Sequence, residues 1–210
     1  MEELIFGKYP QNPDEYKNGK RISIVNKQLT VNPLIRQPVE WLVLAEEEDK
    51  KLLISKYALE YLPFNDWTAG VTWENSTLRE WLNGGFKYKN GDGNEIDFIN
   101  DCFSGDERGQ IIPDSGTGDK VFLLSLDEVL RYLPSNHLRK CLPTAYAVSH
   151  LPETHKYTNG DTCTWWLRTG STDTDRYIMT VEKKGEYFKS GQMASMKGIG
   201  VRPSLWVKKG

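Results

Sequence analysis

Apolar residues in this chain come in short runs separated by turn-forming residues, with helical spacing confined to its middle third. Leu4-Ile5-Phe6-Gly7 predicts a short strand, followed by the turn-like Tyr9-Pro10-Gln11-Asn12-Pro13. Residues 16 to 33 mix charge with alternating Ile22, Ile24, Leu29 and Val31, which predicts a surface hairpin inserted near the start. Val39 to Leu44 and Lys51 to Ser55 predict a second hairpin, with the acidic turn Glu46-Glu47-Glu48-Asp49 between its strands. Short runs rich in Val, Ile and Trp and bounded by turns fit pleated strands.

The period then changes. Leu78, Trp81 and Leu82 fall at i, i+3 and i+4 and share one helical face, with Ser76 or Thr77 as the cap and Gly84-Gly85 as the stop. Ser104-Gly105-Asp106-Glu107 and Ser125-Leu126-Asp127-Glu128 both have capping-box spacing. In the second, Leu126, Val129, Leu130 and Leu133 make the apolar face, and Pro134 follows. Val121 to Leu124 predicts a strand between these helices, and Thr144 to Val148 a helical turn.

The C-terminal third returns to strands. Trp165-Trp166-Leu167-Arg168 is followed by the polar loop Thr169 to Asp175, and Tyr177–Val181 and Glu186–Lys189 flank the turn Lys183-Lys184-Gly185. Gly200 to Val207 predicts one last strand, neighbouring the Trp165 segment in a small sheet. Strands, then two or three helices, then strands make an α+β chain rather than an alternating βαβ one. The length of 210 residues fits a single domain, 1–210.

Composition narrows the function. A net charge of −2, with basic residues scattered among acids, argues against a nucleic-acid partner or a basic membrane patch. No apolar run approaches the ~20 residues of a spanning helix. The N-terminus lacks a basic, then apolar, leader, so the chain as written reads as cytoplasmic; it reads as extracellular if a leader has been trimmed. Three cysteines, Cys102, Cys141 and Cys163, do not make a disulfide scaffold. Seven tryptophans and ten tyrosines are a heavy aromatic load: some serve the core, and those that do not favour a binding surface.

The chain resembles a family of bacterial domains of unknown function. The matching pieces are Ile5-Phe6-Gly7-Lys8-Tyr9-Pro10-Gln11, Glu40-Trp41-Leu42-Val43-Leu44, Ser76-Thr77-Leu78-Arg79-Glu80-Trp81-Leu82-Asn83, Trp165-Trp166-Leu167-Arg168 and Gly200-Val201-Arg202-Pro203. More distantly, the order of elements and the Gly-Val-Arg-Pro ending resemble the C-type-lectin-like fold, including its formylglycine-generating-enzyme type. That resemblance implies adjacent first and last strands, a late tryptophan-rich core strand, and ligands met by the loops around it. The Glu-Pro-Asn, Gln-Pro-Asp and Trp-Asn-Asp triplets of true C-type lectins are absent here.

Arg168 and Arg202 sit inside apolar runs, where a guanidinium either meets an anionic ligand or ties a carbonyl or acid within the sheet; the apolar setting favours the second. Trp67 and Trp73 bracket the polar loop Asp66–Asn75, and Asp173, Asp175 and Tyr177 stand on another loop. These seven residues are the expected ligand-binding set, with no catalytic residue and no cofactor expected. His137, His150, His155, Cys141 and Cys163 cluster within residues 137 to 163, but without a Cys-x-x-Cys pair the metal question stays open. Asn90 to Glu95 looks calcium-like but lacks the EF-hand oxygen spacing, and Gly116 to Lys120 does not match a phosphate loop.

The expected function is a non-catalytic binding module for a small molecule, glycan, peptide or protein. The alternatives are an enzyme on the formylglycine-generating-enzyme type of scaffold, or a structural part of a phage or surface assembly. The oligomeric state is open.

Overall fold

The computed structural model describes residues 1–11, 16–17, 20–25, 28–32, 36–89, 95–149, 151 and 160–209; for residues 16–32 and for Lys89 it describes the backbone alone. The elements in chain order begin with β1 (Glu3–Tyr9), β2 (Tyr16–Lys17), β3 (Lys20–Val25), β4 (Gln28–Asn32), β5 (Gln37–Glu46), β6 (Lys50–Ser55) and β7 (Glu60–Tyr61). The middle holds α1 (Thr77–Asn83), β8 (Tyr88–Lys89), β9 (Glu95–Ile96), α2 (Phe98–Cys102), α3 (Gly105–Gln110), β10 (Ile111–Ile112), α4 (Leu126–Tyr132), α5 (Asn136–Arg139) and α6 (Ala145–Ser149). The chain ends with β11 (Trp165–Gly170), β12 (Tyr177–Val181), β13 (Tyr187–Met193), β14 (Gly200–Val201) and β15 (Ser204–Lys208). This is a sheet-rich α+β fold with six helices among the described residues.

Two five-stranded sheets carry the chain. One has the order β1-β5-β6-β15-β10 and the other β13-β12-β11-β14-β7. The early insertion forms its own sheet, β2-β3-β4, as the alternating pattern predicts. Among the described residues all pairings between strands are antiparallel except β11 with β14, which run parallel through Trp165 and Gly200.

The last strand is not continuous. It breaks at Arg202-Pro203, and its halves join different sheets: β14 pairs β11 and β7, while β15 pairs β6 and β10. Proline has no N–H to give a ladder, so the strand bends there. The Pro203 carbonyl still accepts from the Ser55 amide at 2.9 Å, which joins the bend to the end of β6. The expected adjacency of first and last strands also fails for the whole chain, because β5 and β6 lie between β1 and β15. The burial patterns give the reason. Strand β15 is buried at four successive residues and needs a neighbour on each side, whereas β1 exposes Glu3, Ile5 and Lys8 and tolerates an edge.

The helix signals hold in their essentials. Ser76 caps α1, accepting from the Arg79 amide, and Gly84 ends it in the left-handed region at φ 86°. Both capping boxes are formed, at Ser104/Glu107 and Ser125/Glu128. Helix α3 stops at Gln110, and the apolar Ile111-Ile112 beyond it becomes β10 rather than a helical face. Leu130, expected on the buried face of α4, is exposed. Val121 to Leu124 is fully buried but forms only an isolated bridge, Phe122 with Ser204, instead of a strand. Its carbonyls are taken by other donors: Asn83 Nδ2 reaches Val121 at 2.8 Å, Arg168 Nη1 reaches Leu123 at 2.7 Å and the Arg168 amide reaches Leu124 at 3.0 Å.

One buried cluster runs from sheet to sheet through the helices. Aromatic rings form much of it: Phe103 meets Phe6 at 5.1 Å and Phe98 at 5.9 Å, and Phe98 meets Trp81 at 5.5 Å. Trp165 and Trp166, which alternate along β11, are both fully buried because each face of that sheet is covered. Among the described residues no helix is long and apolar enough to cross a membrane.

Candidate functional site

The two loops that the sequence singles out lie side by side. The Val71 amide donates to the Asp175 carbonyl at 3.0 Å, and the Gly70 amide donates to Asp175 Oδ2 at 3.0 Å. Loop 65–77 is also braced within itself. Asn75 accepts from the Thr72 amide at 2.8 Å and donates to the Gly70 carbonyl at 2.8 Å. Buried Asn65 accepts from the Thr77 amide at 2.9 Å and donates to the Trp67 carbonyl at 3.1 Å. A side-chain amide that satisfies backbone groups on both flanks holds a loop in one shape without secondary structure.

A third segment joins them. The fully buried Ala194 accepts from the amides of Phe64 at 2.8 Å and Asn65 at 3.0 Å, and donates to the Arg176 carbonyl at 3.0 Å. Three loops, 64–75, 171–176 and 193–197, are thereby tied into one surface. It exposes Trp67 at 50%, Met193 at 42% and Met196 at 40%, amid exposed Asp66, Asp173, Asp175, Arg176 and Lys197. Sequence reasoning missed the methionine segment. Its signal is Met193-Ala194-Ser195-Met196 inside a Gly-bounded turn, where large apolar residues have no core to enter.

Asp175→Ala tests this bracing. It removes the side-chain bond to Gly70 but leaves the backbone bond to Val71. We expect a stability loss of about 1 kcal/mol or less. Hydrogen exchange should quicken at the Gly70 amide, with Val71 still protected.

The other expected site residues are structural. Trp73 is 4% exposed and donates its indole N–H to Asp119 Oδ2 at 2.8 Å, while Asp119 also accepts from Arg79 Nε at 2.9 Å. It is therefore a core residue and not a loop platform. Arg168 meets Glu128 through both terminal nitrogens, at 2.5 and 2.8 Å, and lies 5.5 Å from the Phe122 ring. Glu128 in turn accepts from the Ser125 amide at 2.6 Å, so this ion pair fastens the start of α4 to β11. Arg168 also lines a cleft of about 260 Å³ beside Val71–Glu74 and Thr169, but with those donors engaged it is a wall of that cleft rather than a free cation. Tyr177 is half-buried at the start of β12, paired with Met193.

Arg202 is 1% exposed, inside the core. Its Nε donates to the Ser55 carbonyl at 2.9 Å and its guanidinium lies 5.1 Å from the Trp165 ring, but its Nη1 has no hydrogen-bond partner. Beside it, Cys141 and Cys163 meet. The Cys163 amide donates to the Cys141 carbonyl at 2.8 Å, and the Cys141 thiol donates to the carbonyls of Leu142 at 3.4 Å and Lys56 at 3.8 Å. Burial alone would push the Cys141 thiol up. The Cys163 hydrogen bond, the Arg202 charge and the Ala58 N–H outweigh it and bring Cys141 down to about 7. The same hydrogen bond, burial and the Cys141 charge push Cys163 up. Cys102 lies elsewhere and is pushed up by burial and by Asp101 and Glu107.

Of the soft-ligand cluster, only the cysteines converge among the described residues. His137 is exposed on α5, while His150 and His155 lie outside the described residues, as do residues 90–94 of the calcium-like stretch. Among the described residues, no group of three or more His, Cys, Asp or Glu could hold a metal ion.

A family model described as Domain of unknown function (DUF6273) matches residues 48–209. The chain belongs to this family. Comparison with curated proteins and with solved structures returns no match. The DUF6273 region begins just before β6, so its own first and last strands, β6 and β15, are paired along their length from Ser204 with Ile54 to Lys208 with Lys50. Strands β1 to β5 precede the matched region, and β1 and β5 extend its first sheet. All three joined loops and the thiol pair fall inside the DUF6273 match.

Proposed function

We propose that the chain is a binding module on a C-type-lectin-like scaffold, and that its three joined loops take a protein or peptide partner. The observation that carries this reading is Trp67, half exposed on a loop braced at both ends and tied to its neighbours. A rigid exposed tryptophan gives large contact area at little entropic cost on binding. Its surroundings favour a polypeptide over a sugar: Met193 and Met196, exposed on the segment tied to its loop, add apolar surface. Aromatic residues, methionine and arginine are the side chains enriched where proteins meet. The lectin-like reading draws support from the pairing of β6 with β15, from the buried Trp165-Trp166 strand, and from loops gathered at the ends of β11 and β12.

The test is selection of peptides on the folded protein, followed by affinity measurement against Trp67→Ser. Loss of a central tryptophan should weaken selected binders by at least about 10–30-fold. The stability should stay within about ±0.5 kcal/mol, as expected of a surface change. Binders indifferent to Trp67, or a melting shift with free sugars that survives Trp67→Ser, would sink the proposal.

A further inference from the structure

A second feature lies in the core, away from the loop surface. Cys141 follows α5 in a segment that runs beside residues 56–58: the Ala58 amide donates to the Leu142 carbonyl at 3.0 Å, and the Thr144 amide donates to the Ala58 carbonyl at 2.8 Å. Cys163 stands just before β11 and donates its amide to Cys141. This 2.8 Å backbone bond sets the two residues side by side, as a disulfide between them requires. Each sulfur acts on the ionisation of the other, and the Cys141 Sγ lies 3.4 Å from the Leu142 carbonyl and 3.8 Å from that of Lys56. Beside them Arg202 keeps a buried Nη1 without an acceptor. A buried, unpaired cationic donor is costly, and an anionic sulfur is the partner this corner can supply.

We propose that Cys141 and Cys163 are a redox-active pair that closes to an intramolecular disulfide and reopens, with Arg202 held beside them as the counter-ion of the attacking sulfur. The charged and titratable groups that act on the pair are Arg202 at the β14–β15 break, Tyr61 on β7, and the two cysteines themselves. Cys141 is the nucleophile, since the Arg202 charge and the Ala58 N–H favour its thiolate while Cys163 is pushed up, and Cys163 resolves.

With a low-molecular-weight disulfide as oxidant, the Cys141 thiolate attacks one sulfur, the small S–S bond breaks, and one small thiolate leaves. Cys163 gives up its proton to that thiolate and attacks the Cys141 sulfur, expelling the second small thiolate. The protein loses two electrons and forms one S–S bond; the small disulfide gains two electrons and becomes one thiol and one thiolate, the latter taking from water the proton that Cys141 released on ionising. An excess of small thiol reverses both steps.

The experiment treats the reduced, folded chain with 2-hydroxyethyl disulfide, quenches by alkylation and maps the peptides by mass. The expected result is loss of two thiols of three, a linked Cys141–Cys163 peptide, and alkylated Cys102. Cys102 is the internal control, equally buried but without a partner thiol. In Cys163→Ser, the small thiol should remain trapped on Cys141. Arg202 still favours the Cys141 thiolate in that variant, whereas burial and nearby acids push Cys102 up, so trapping should run several-fold faster at Cys141 than at Cys102. Arg202→Lys in the Cys163→Ser background should preserve trapping at Cys141 more fully than Arg202→Met does. If native protein keeps all three thiols while the urea-unfolded chain is oxidised, or if Cys102 reacts as fast as Cys141, the proposal is wrong.

Discussion

Replacing Gly185 by alanine is expected to destabilise the protein by roughly 3–5 kcal/mol, the sum of left-handed strain and overpacking. For a chain of this size that lowers the melting temperature by about 6–20 °C. Gly185 turns the chain between β12 and β13 at φ 84°, and a Cβ there would lie 1.9 Å from the Asn136 carbonyl oxygen and 2.7 Å from its carbon. Both atoms are backbone, so no side-chain rotation relieves the contact. The turn cannot easily retreat, because Arg139 Nε donates to the Gly185 carbonyl at 2.6 Å, and the same guanidinium donates to the Leu133 carbonyl at 2.8 Å. The Arg139 carbonyl then accepts from the Trp165 indole at 3.0 Å, so displacement of the turn reaches β11. Gly185→Asn separates the two causes. Asparagine adopts the left-handed region with little strain, yet it carries the same Cβ, so it should fail nearly as badly. A near-native urea midpoint for Gly185→Asn would show that conformation, and not the close approach, sets the cost.

The features legible in the sequence are those set by neighbours along the chain. Ser76 and Gly84 bound α1, and Ser104 and Ser125 start α3 and α4, because a cap needs only a residue three positions away. The β5–β6 hairpin and the β12–β13 hairpin follow from apolar runs flanking a turn. The helices the sequence does not announce, α2 and α5, have five and four residues, too few to show a period. Pro203 is a signal that the sequence does contain: it marks the break between β14 and β15, where an unbroken apolar count predicts one strand.

Long-range partners explain the rest. Trp73 and Trp67 look alike at the two ends of one polar loop, and only Asp119, 46 residues beyond Trp73, pulls that indole inside. Arg168 finds Glu128 40 residues away and Arg202 finds the Ser55 carbonyl 147 residues away. The apolar setting of both arginines gives the structural reading, but not the partner. Cys141 and Cys163 stand out in the sequence only as part of a loose His/Cys cluster. Their meeting depends on the backbone bond between them and on Arg202 arriving from the far end of the chain.

Trp166→Ala should cost about 3–5 kcal/mol, the usual range for a fully buried large aromatic, and lower the melting temperature by about 6–20 °C. Trp166 is completely buried, pairs with Thr180 across β11 and β12, and packs against Phe64 with ring centroids 5.7 Å apart. Its indole N–H donates to the Leu62 carbonyl at 3.0 Å, which the alanine variant leaves without that donor. Leu62 to Phe64 is also the lead-in to the loop that carries Trp67, and the Phe64 amide is one of those that hold Ala194. Loss of the ring should therefore loosen the loop surface as well as the core, and hydrogen exchange at the Phe64 and Asn65 amides should rise well below the melting temperature. Should Trp166→Ala not fold, Trp166→Phe keeps one ring of the packing but loses the second ring and the N–H, with an expected cost of about 1–3 kcal/mol. The contrast with Trp67→Ser is the decisive one. Trp166 should change stability, and through it the loop, whereas Trp67 should change binding with stability unchanged. A Trp166→Phe variant that melts lower yet shows native exchange at Phe64 and Asn65 would separate the loop surface from the core strand beneath it, and would remove the rigid support on which the binding proposal depends.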